Sequence, residues 1–184
     1  MTMVMGTRAP WQWHALLLST LVKAILIPTY HSTDLEVHRH WLALTHTLPL
    51  SQWYFDESSP WTLDYPPFFA YLSWLLSLPA AWWDARIVDV QGGRPYEAWS
   101  CVVYMRTSVI VTELVLAVAL FALATPSEQQ QARHGGRALS APMAVALLLH
   151  PGLVIVDHIH FQYNGFLYGI FLWSLWAARE VRRR

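Results

Sequence analysis

Charged side chains are scarce in this sequence. They make up 13% of its 184 residues, about half of the roughly 25% that is usual in soluble domains, whereas 55% of the residues are hydrophobic. This shortage of charge indicates a membrane protein. The 12 basic and 12 acidic residues cancel, and a balanced charge gives no indication of a nucleic acid as partner.

Cysteine is almost absent as well, and the usual signatures of several enzyme classes are missing. Cys101 is the single cysteine, so these residues can form no disulfide among themselves and no cysteine-based metal motif. The sequence contains no glycine-rich phosphate loop and no nucleophile elbow. His38 and His40 are two residues apart, which on a helix places them on different faces and argues against a metal-binding pair. The sequence therefore predicts no metal site.

Apolar runs are what the sequence has in abundance. A membrane-spanning helix needs about 20 apolar residues, because a rise of about 1.5 Å per residue must cross a hydrocarbon core of roughly 30 Å. We predict an all-α, multi-pass membrane domain over residues 1–184. Its four membrane helices are predicted at 14–30, 100–124, 141–156 and 165–178. No small-residue cleavage site follows the first run, which we therefore interpret as a membrane helix and not as a signal peptide.

Residues 31–99 are predicted to form a loop with surface helices between the first two spans. Thr33 and Glu36 have the spacing of a capping box, with Glu36 as the capping partner. This spacing predicts a helix from there to about Leu48, where Pro49 ends it. Its apolar positions share one stripe: Val37, Trp41, Leu44 and Leu48. The pattern is typical of an amphipathic helix on a membrane surface.

The basic residues favour one of two topologies. If the apolar stretch 68–83 does not cross the membrane, the loop 125–140 and the tail 179–184, which hold most of the arginines, share the cytosolic side. The loop 31–99 and the polar segment 157–164 then face the other side together. If 68–83 does cross, the arginines of 125–140 lie on the non-cytosolic side and the membrane separates the two polar regions. The first arrangement is the preferred interpretation.

Two polar regions adjoin the predicted spans, and we expect them to meet on one side of the membrane. Asp34 stands at the end of the first span, where a carboxylate can act as a general base or bind a cation; the alternative is that it complements the dipole of the next helix. Asp64 precedes two prolines that hold it rigidly, or it belongs to a plain turn. The second region contributes five polar side chains: Asp157, His158, His160, Gln162 and Asn164. Polar groups at this depth are often functional, and a water-satisfied interfacial loop is the alternative.

Four motifs follow one another along the chain: Tyr30–Trp41 (YHSTDLEVHRHW), Leu48–Phe55 (LPLSQWYF), Trp61–Pro67 (WTLDYPP) and Val156–Gly165 (VDHIHFQYNG). In their order and spacing they resemble the dolichyl-phosphate-glucose-dependent α-1,3-glucosyltransferases of the endoplasmic reticulum, and the resemblance covers nearly the whole chain. Ile159 and the HSTD opening look more like the enzyme that adds the second glucose to the lipid-linked oligosaccharide than like the sibling that adds the first.

The resemblance implies the N-terminal portion of a GT-C-type membrane glycosyltransferase with surface helices in its first lumenal loop. It also implies inverting transfer of glucose from dolichyl-phosphate glucose to the lipid-linked oligosaccharide in protein N-glycosylation, without a tightly bound cofactor. Asp34 matches the acidic residue expected at the active site and is the candidate base. Ten further residues are candidates for contacting the substrates: Glu36, His38, Arg39, Asp64, Tyr65, Asp157, His158, His160, Gln162 and Asn164.

The resemblance also implies that a longer chain is needed for full activity. Family members are longer, so we expect this chain to be an N-terminal portion that transfers little glucose alone. One rival interpretation is a non-catalytic membrane subunit that binds lipid-linked glycan, and another is the sibling enzyme that adds the first glucose. A transporter is disfavoured, because few ionisable groups, Lys23 and Glu113 among them, lie inside the predicted spans.

Overall fold

The computed structural model describes residues 10–91, 95–124 and 139–181. All regular secondary structure in these ranges is helical, which confirms the predicted all-α class. The chain divides into two compact units. The span unit comprises the described residues of Met1–Leu26, Ile110–His158 and Tyr163–Arg184, and the loop unit comprises those of Ile27–Val109 and Ile159–Gln162.

The described α-helices range in length from 5 to 18 residues. The α-helices are α1 (Pro10–Ile25), α2 (Asp34–Thr47), α3 (Pro67–Trp83), α4 (Trp99–Thr112), α5 (Leu114–Ala124), α6 (Ala141–Leu148), α7 (Pro151–Ile155) and α8 (Asn164–Val181). Single 3₁₀ turns lie at Leu50–Gln52 and Ala85–Val88, and a wide π-helical turn covers Val156–Phe161. Prolines stand in the first turns of α3, α6 and α7, where the missing N–H costs no helical hydrogen bond.

The span unit is held together by apolar packing of α5 against α6 and α8. Leu116, Leu120 and Leu148 are buried in its core. Helices α5 and α8 approach closely at Gly169, where an added Cβ atom would lie 2.5 Å from the backbone nitrogen of Leu116. Glycine is therefore required at this crossing, because any side chain would push the two backbones apart.

Helix α2 ends as the sequence predicts but begins differently. Its last residue is Thr47, just before Pro49. The predicted capping box is wrong: the Thr33 side chain makes no capping hydrogen bond, and Thr33 already has helical backbone angles. The hydroxyl oxygen of Ser32 accepts the N–H of Asp34 instead. Glu36 is directed to Arg39, so the capping partner of the predicted motif is engaged elsewhere.

The polar face of α2 is buried, whereas the sequence predicts one buried stripe on a surface helix. Ten of its 14 residues are buried, and they include His38, Arg39 and Thr45. The helix packs against α3 and against the 3₁₀ turn Ala85–Val88. Polar side chains can be buried here because their neighbours supply hydrogen-bond partners. Helix α2 is thus the central helix of the loop unit.

Two helical stretches of the described chain are long and apolar enough to cross a membrane: Trp99–Ala124 with 26 residues and Ala141–Phe161 with 21. They overlap the spans predicted at 100–124 and 141–156. The spans predicted at 14–30 and 165–178, and the non-crossing position of α3, stay predictions. The arginine-bearing loop 125–138 and residues 182–184 lie outside the described ranges, so the predicted topology stays a prediction too.

Candidate active site around Asp34

Asp34 is the first residue of α2. Its backbone N–H donates to the hydroxyl oxygen of Ser32 at 3.1 Å, which fixes the start of the helix. Oδ2 of Asp34 accepts a hydrogen bond from Nε2 of Gln162 at 3.0 Å and lies 3.2 Å from Nε2 of His160. The Asp34 side chain is 29% exposed. Two side chains therefore hold one carboxylate oxygen, and the other oxygen, Oδ1, can receive a further donor.

The chain bends sharply between His160 and Gln162. Phe161 has a φ of 93°, a left-handed conformation that is costly for a bulky residue. Its ring is fully buried, 5.5 Å from the ring of His38. The carbonyl of His160 accepts hydrogen bonds from the N–H of Ser32 at 3.1 Å and from its hydroxyl at 2.5 Å. These contacts hold the bend, and the two flanking side chains reach the same carboxylate.

A cavity of about 330 Å³ lies beside Asp34. This volume is at the lower end of the range for small-molecule sites. The lining residues are Asp34, Val37, His38, Trp41, Pro60, Trp61, Thr62, Asp64, Tyr65 and Gln162. Sugar hydroxyls can form hydrogen bonds with the carboxylates and the amide, and the apolar face of a sugar ring can pack against an aromatic ring. The walls of the cavity therefore suit a carbohydrate.

The WTLDYPP segment forms one wall of this cavity and is tied to α2. Nε1 of Trp41 lies 3.3 Å from the carbonyl oxygen of Trp61 and 3.2 Å from that of Thr62, so the indole N–H donates to this backbone. The ring of Tyr65 lies 4.9 Å from that of Trp41. Burial raises the pKa of Tyr65, and the neighbouring carboxylates raise it further, so its hydroxyl stays protonated. These contacts bring Asp64 to the cavity, and the predicted rigidity of the segment stays a prediction.

His38 lies one helical turn after Asp34 and lines the same cavity. The rings of Trp41, Phe69 and Phe161 lie 4.9, 5.3 and 5.5 Å from its own. Burial lowers the pKa of His38 to about 4, although the charge of Asp34 acts in the opposite direction. His38 is therefore neutral at neutral pH. Within the described ranges, no three His, Cys, Asp or Glu side chains are placed to hold a metal ion.

Glu36 and Arg39 form a buried ion pair that faces another part of the loop unit. The guanidinium donates to both carboxylate oxygens, at 2.7 and 2.6 Å. Arg39 also donates to the carbonyls of Ile87 and Asp89, and Glu36 accepts the N–H of Tyr96. The pair therefore fastens α2 to the loop before α4. Neither residue lines the cavity, and their predicted contact with substrate stays a prediction.

The second polar region is divided between the two units. His160 and Gln162 meet Asp34 in the loop unit, which agrees with the expected meeting of the two polar regions. Asp157 belongs to the span unit, where its carboxylate accepts the N–H of Asn164 at 3.0 Å, the Asn164 side-chain amide at 2.9 Å and the N–H of Gly165 at 2.6 Å. It thereby caps the N-terminus of α8. Substrate contacts by Asp157 and Asn164 stay predictions.

A buried charge cluster in the span unit was missed by the sequence analysis. Nε2 of His158 and Nζ of Lys23 each lie 2.7 Å from Oε2 of Glu113. All three side chains are buried. Lys23 and Glu113 were noted as ionisable groups inside predicted spans, and the cost of an isolated charge there was the signal that they would pair. His158 is thus engaged with Glu113, and its contact with substrate stays a prediction.

Comparison with known proteins assigns the chain to a family. Residues 19–183 match the sequence model of the ALG6, ALG8 glycosyltransferase family. The chain belongs to this family. Its members are multi-pass membrane glycosyltransferases of the GT-C type, which confirms the predicted fold class and the family resemblance.

Curated members of the family are similar to this chain over most of its length. The dolichyl pyrophosphate Glc1Man9GlcNAc2 alpha-1,3-glucosyltransferase of Neurospora crassa is 49% identical over 166 residues, which cover 89% of this chain and 31% of the relative. The enzyme of the same name from Arabidopsis thaliana is 50% identical over 165 residues, with 89% and 31% covered. A probable enzyme of that name from Drosophila melanogaster is 51% identical over 176 residues, with 94% and 32% covered.

The chain spans about a third of the length of these relatives. Their names specify a substrate that already carries one glucose. This agrees with the sequence-based resemblance to the enzyme that adds the second glucose, which rested on Ile159 and the HSTD opening.

Proposed function

We propose that this chain supplies the acceptor-activating part of an α-1,3-glucosyltransferase of the endoplasmic reticulum membrane. The enzyme transfers glucose from dolichyl-phosphate glucose to a lipid-linked oligosaccharide that already carries one glucose, in protein N-glycosylation. The observation that carries the proposal is the Asp34 carboxylate, held through one oxygen by His160 and Gln162 at the wall of a carbohydrate-sized cavity. The family and the names of the relatives support the reaction class.

The geometry supports different roles for the two oxygens of Asp34. The hydroxyl of the acceptor sugar forms a new bond to the anomeric carbon of the donor glucose while the bond from that carbon to the dolichyl phosphate oxygen breaks. Oδ1 of Asp34 takes the hydroxyl proton, as a general base must lie within hydrogen-bond reach of the proton that it removes. Gln162 and His160 keep Oδ2 in place and fix the direction of Oδ1. The phosphate leaves with the bonding electrons, and the configuration inverts.

The walls of the cavity support binding of the acceptor sugar beside this base. Asp64 and Gln162 offer polar atoms, and Trp61, which is 39% exposed, offers an accessible aromatic surface. His38 is neutral because burial lowers its pKa to about 4, so the acceptor meets no buried cation there. The predicted contact of Arg39 with a substrate would compete with its bidentate bond to Glu36.

The proposal is tested in a chimera, because the chain spans a third of its relatives. These 184 residues replace the matching region of the Neurospora crassa relative in cells that lack that enzyme. The unmodified chimera should convert the lipid-linked oligosaccharide with one glucose into the form with two. Asp34→Asn should stop this conversion, since it keeps size and removes the proton acceptor, and the one-glucose form should accumulate.

The matched control is Glu57→Gln, which removes one carboxylate from an exposed position of the loop unit. It should leave the conversion intact. Conversion by the Asp34→Asn chimera at the rate of the control would contradict the proposed base. If the unmodified chimera binds labelled lipid-linked oligosaccharide but transfers no glucose, the result would favour the rival interpretation, a glycan-binding subunit without catalysis.

A further inference from the structure

Arg106 is a charged residue that lies buried in α4, with 1% of its surface exposed. Its Nη2 atom donates to the carbonyl of Tyr30 at 2.8 Å and to the carbonyl of Ile159 at 3.0 Å. The guanidinium carbon lies 5.9 Å from the centre of the Phe161 ring. One buried cation thus contacts two stretches of backbone that are far apart in the sequence.

These two stretches carry the groups that meet at the candidate site. Tyr30 stands four residues before Asp34, and Ile159 stands next to His160. The bond between Gln162 and Asp34 joins residues that are 128 positions apart, so no local structure guarantees it. Arg106 is therefore a bridge between the two halves of the site.

Ser32 forms the second bridge, through its two hydrogen bonds to the carbonyl of His160. Arg106 holds the carbonyl of the preceding residue, Ile159. Two successive carbonyls are thus fixed just before the left-handed Phe161, whose ring is also next to the guanidinium. A residue with φ of 93° stays in this conformation only where its surroundings hold it there.

We infer that Arg106 is a positioning residue for glucosyl transfer: by holding Tyr30 and Ile159 together, it keeps His160 and Gln162 on Oδ2 of Asp34. The inference rests on the proposed function, because Arg106 acts by orienting the proposed base, Asp34. Arg106 does not line the cavity beside Asp34. It therefore acts on the orientation of the base through His160 and Gln162, and Gln162 is the one cavity residue that it holds in place.

Arginine suits this place for a geometric reason. Its planar group donates in fixed directions and can lie against an aromatic ring, whereas lysine is a compact charge on a flexible stem. Loss of the bridge should free the bend at Phe161 and let the carboxylate of Asp34 rotate. A misplacement of about 1 Å near a reacting group can cost about 100-fold in rate. The expected effect is thus mainly on kcat, with a smaller effect on the KM for the acceptor, because only Gln162 of the ten lining residues is displaced.

The test measures kcat and KM for the purified chimera with dolichyl-phosphate glucose and the one-glucose acceptor. Arg106→Gln should lower kcat by about 10- to 100-fold and change KM by less than about threefold. Gln162→Ala should lower kcat too, and the double variant should be no slower than Arg106→Gln alone, since residues that act as one unit are not additive. Arg106→Lys should recover part of the lost rate and show the same lack of additivity with Gln162→Ala.

The matched control is Arg86→Gln, which removes an exposed arginine from the same unit, where it pairs with Asp84. Its effect should be small and should multiply with that of Gln162→Ala. If the losses from Arg106→Gln and Gln162→Ala multiply as well, Arg106 acts only through general stability and the inference is wrong. If Arg106→Gln does not reach the membrane, Arg106→Lys replaces it in the test. Losses from Arg106→Lys and Gln162→Ala that multiply would then show that the inference is wrong. Activity of the Asp34→Asn chimera would instead overturn the proposed function itself.

Discussion

The buried ion pair of Glu36 and Arg39 gives the most quantitative prediction for stability. We consider Arg39→Met, which keeps an apolar stem of similar length and removes the charge. Both partners are buried, with 7% of the Glu36 side chain and none of the Arg39 side chain exposed. The change leaves a buried carboxylate that still accepts the N–H of Tyr96.

The magnitude follows from the cost of an uncompensated charge. Breaking a buried pair by removing one partner costs about 3–5 kcal/mol. For a protein region of this size, 1 kcal/mol corresponds to about 2–4 °C in Tm. Arg39→Met should therefore lower the Tm of the transition in which this region of the detergent-solubilised chimera unfolds by roughly 6–20 °C. The carbonyls of Ile87 and Asp89 also lose the hydrogen bonds from Arg39, which favours the upper part of this range.

The double variant Glu36→Gln, Arg39→Met serves as the control, because it removes the stranded charge. It should recover much of the lost Tm, since replacing a whole buried pair is often close to neutral. Thermal unfolding is followed by the loss of the monomer peak in size-exclusion chromatography after heating. A double variant as unstable as Arg39→Met alone would refute the reasoning, since desolvation of Glu36 would then not be the source of the loss.

Two further predictions concern packing and pH. Gly169→Ala should destabilise the protein by about 1–3 kcal/mol through overpacking against Leu116, and a lower Tm of the chimera would show it; an unchanged Tm would contradict the close contact. Burial lowers the pKa of His38 from 6.5 to about 4, so between these pH values the unfolded chain binds a proton that the folded chain does not. The free energy of unfolding should therefore fall by about 3 kcal/mol as the pH drops from 6.5 to 4. His38→Phe should weaken this acid sensitivity in urea titrations across that range, and an unchanged slope would show that His38 is not its source.

Helix ends and helix lengths were predicted well where a single sequence feature determines them. The position of Pro49 set the end of α2, and the long apolar run before Ala124 predicted a helix that is long enough to span. The start of α2 was predicted less well, because Ser32 and Thr33 can both cap a helix and only the backbone angles decide between them. Spacing alone favoured Thr33, whereas the structure uses Ser32.

Contacts between distant parts of the chain were harder to predict. The burial of Arg39 depends on carbonyls about 50 residues away, which no periodicity of α2 reveals. A meeting of the two polar regions was expected from topology and family resemblance, but neither the contact of Asp34 with Gln162 nor the bend at Phe161 that makes it possible. Polar residues in apolar surroundings carry this information only in part: they predict that a partner exists and not which residue it is.

The central claim is that Asp34 removes the proton of the acceptor hydroxyl. The measurement that tests it most directly is kcat of the purified Asp34→Asn chimera, with saturating dolichyl-phosphate glucose and one-glucose acceptor, beside the unmodified chimera and Glu57→Gln. A general base contributes about 100- to 10,000-fold, so kcat should fall within that range while acceptor KM and Tm stay close to those of the control. A kcat within a few-fold of the unmodified chimera would contradict the claim.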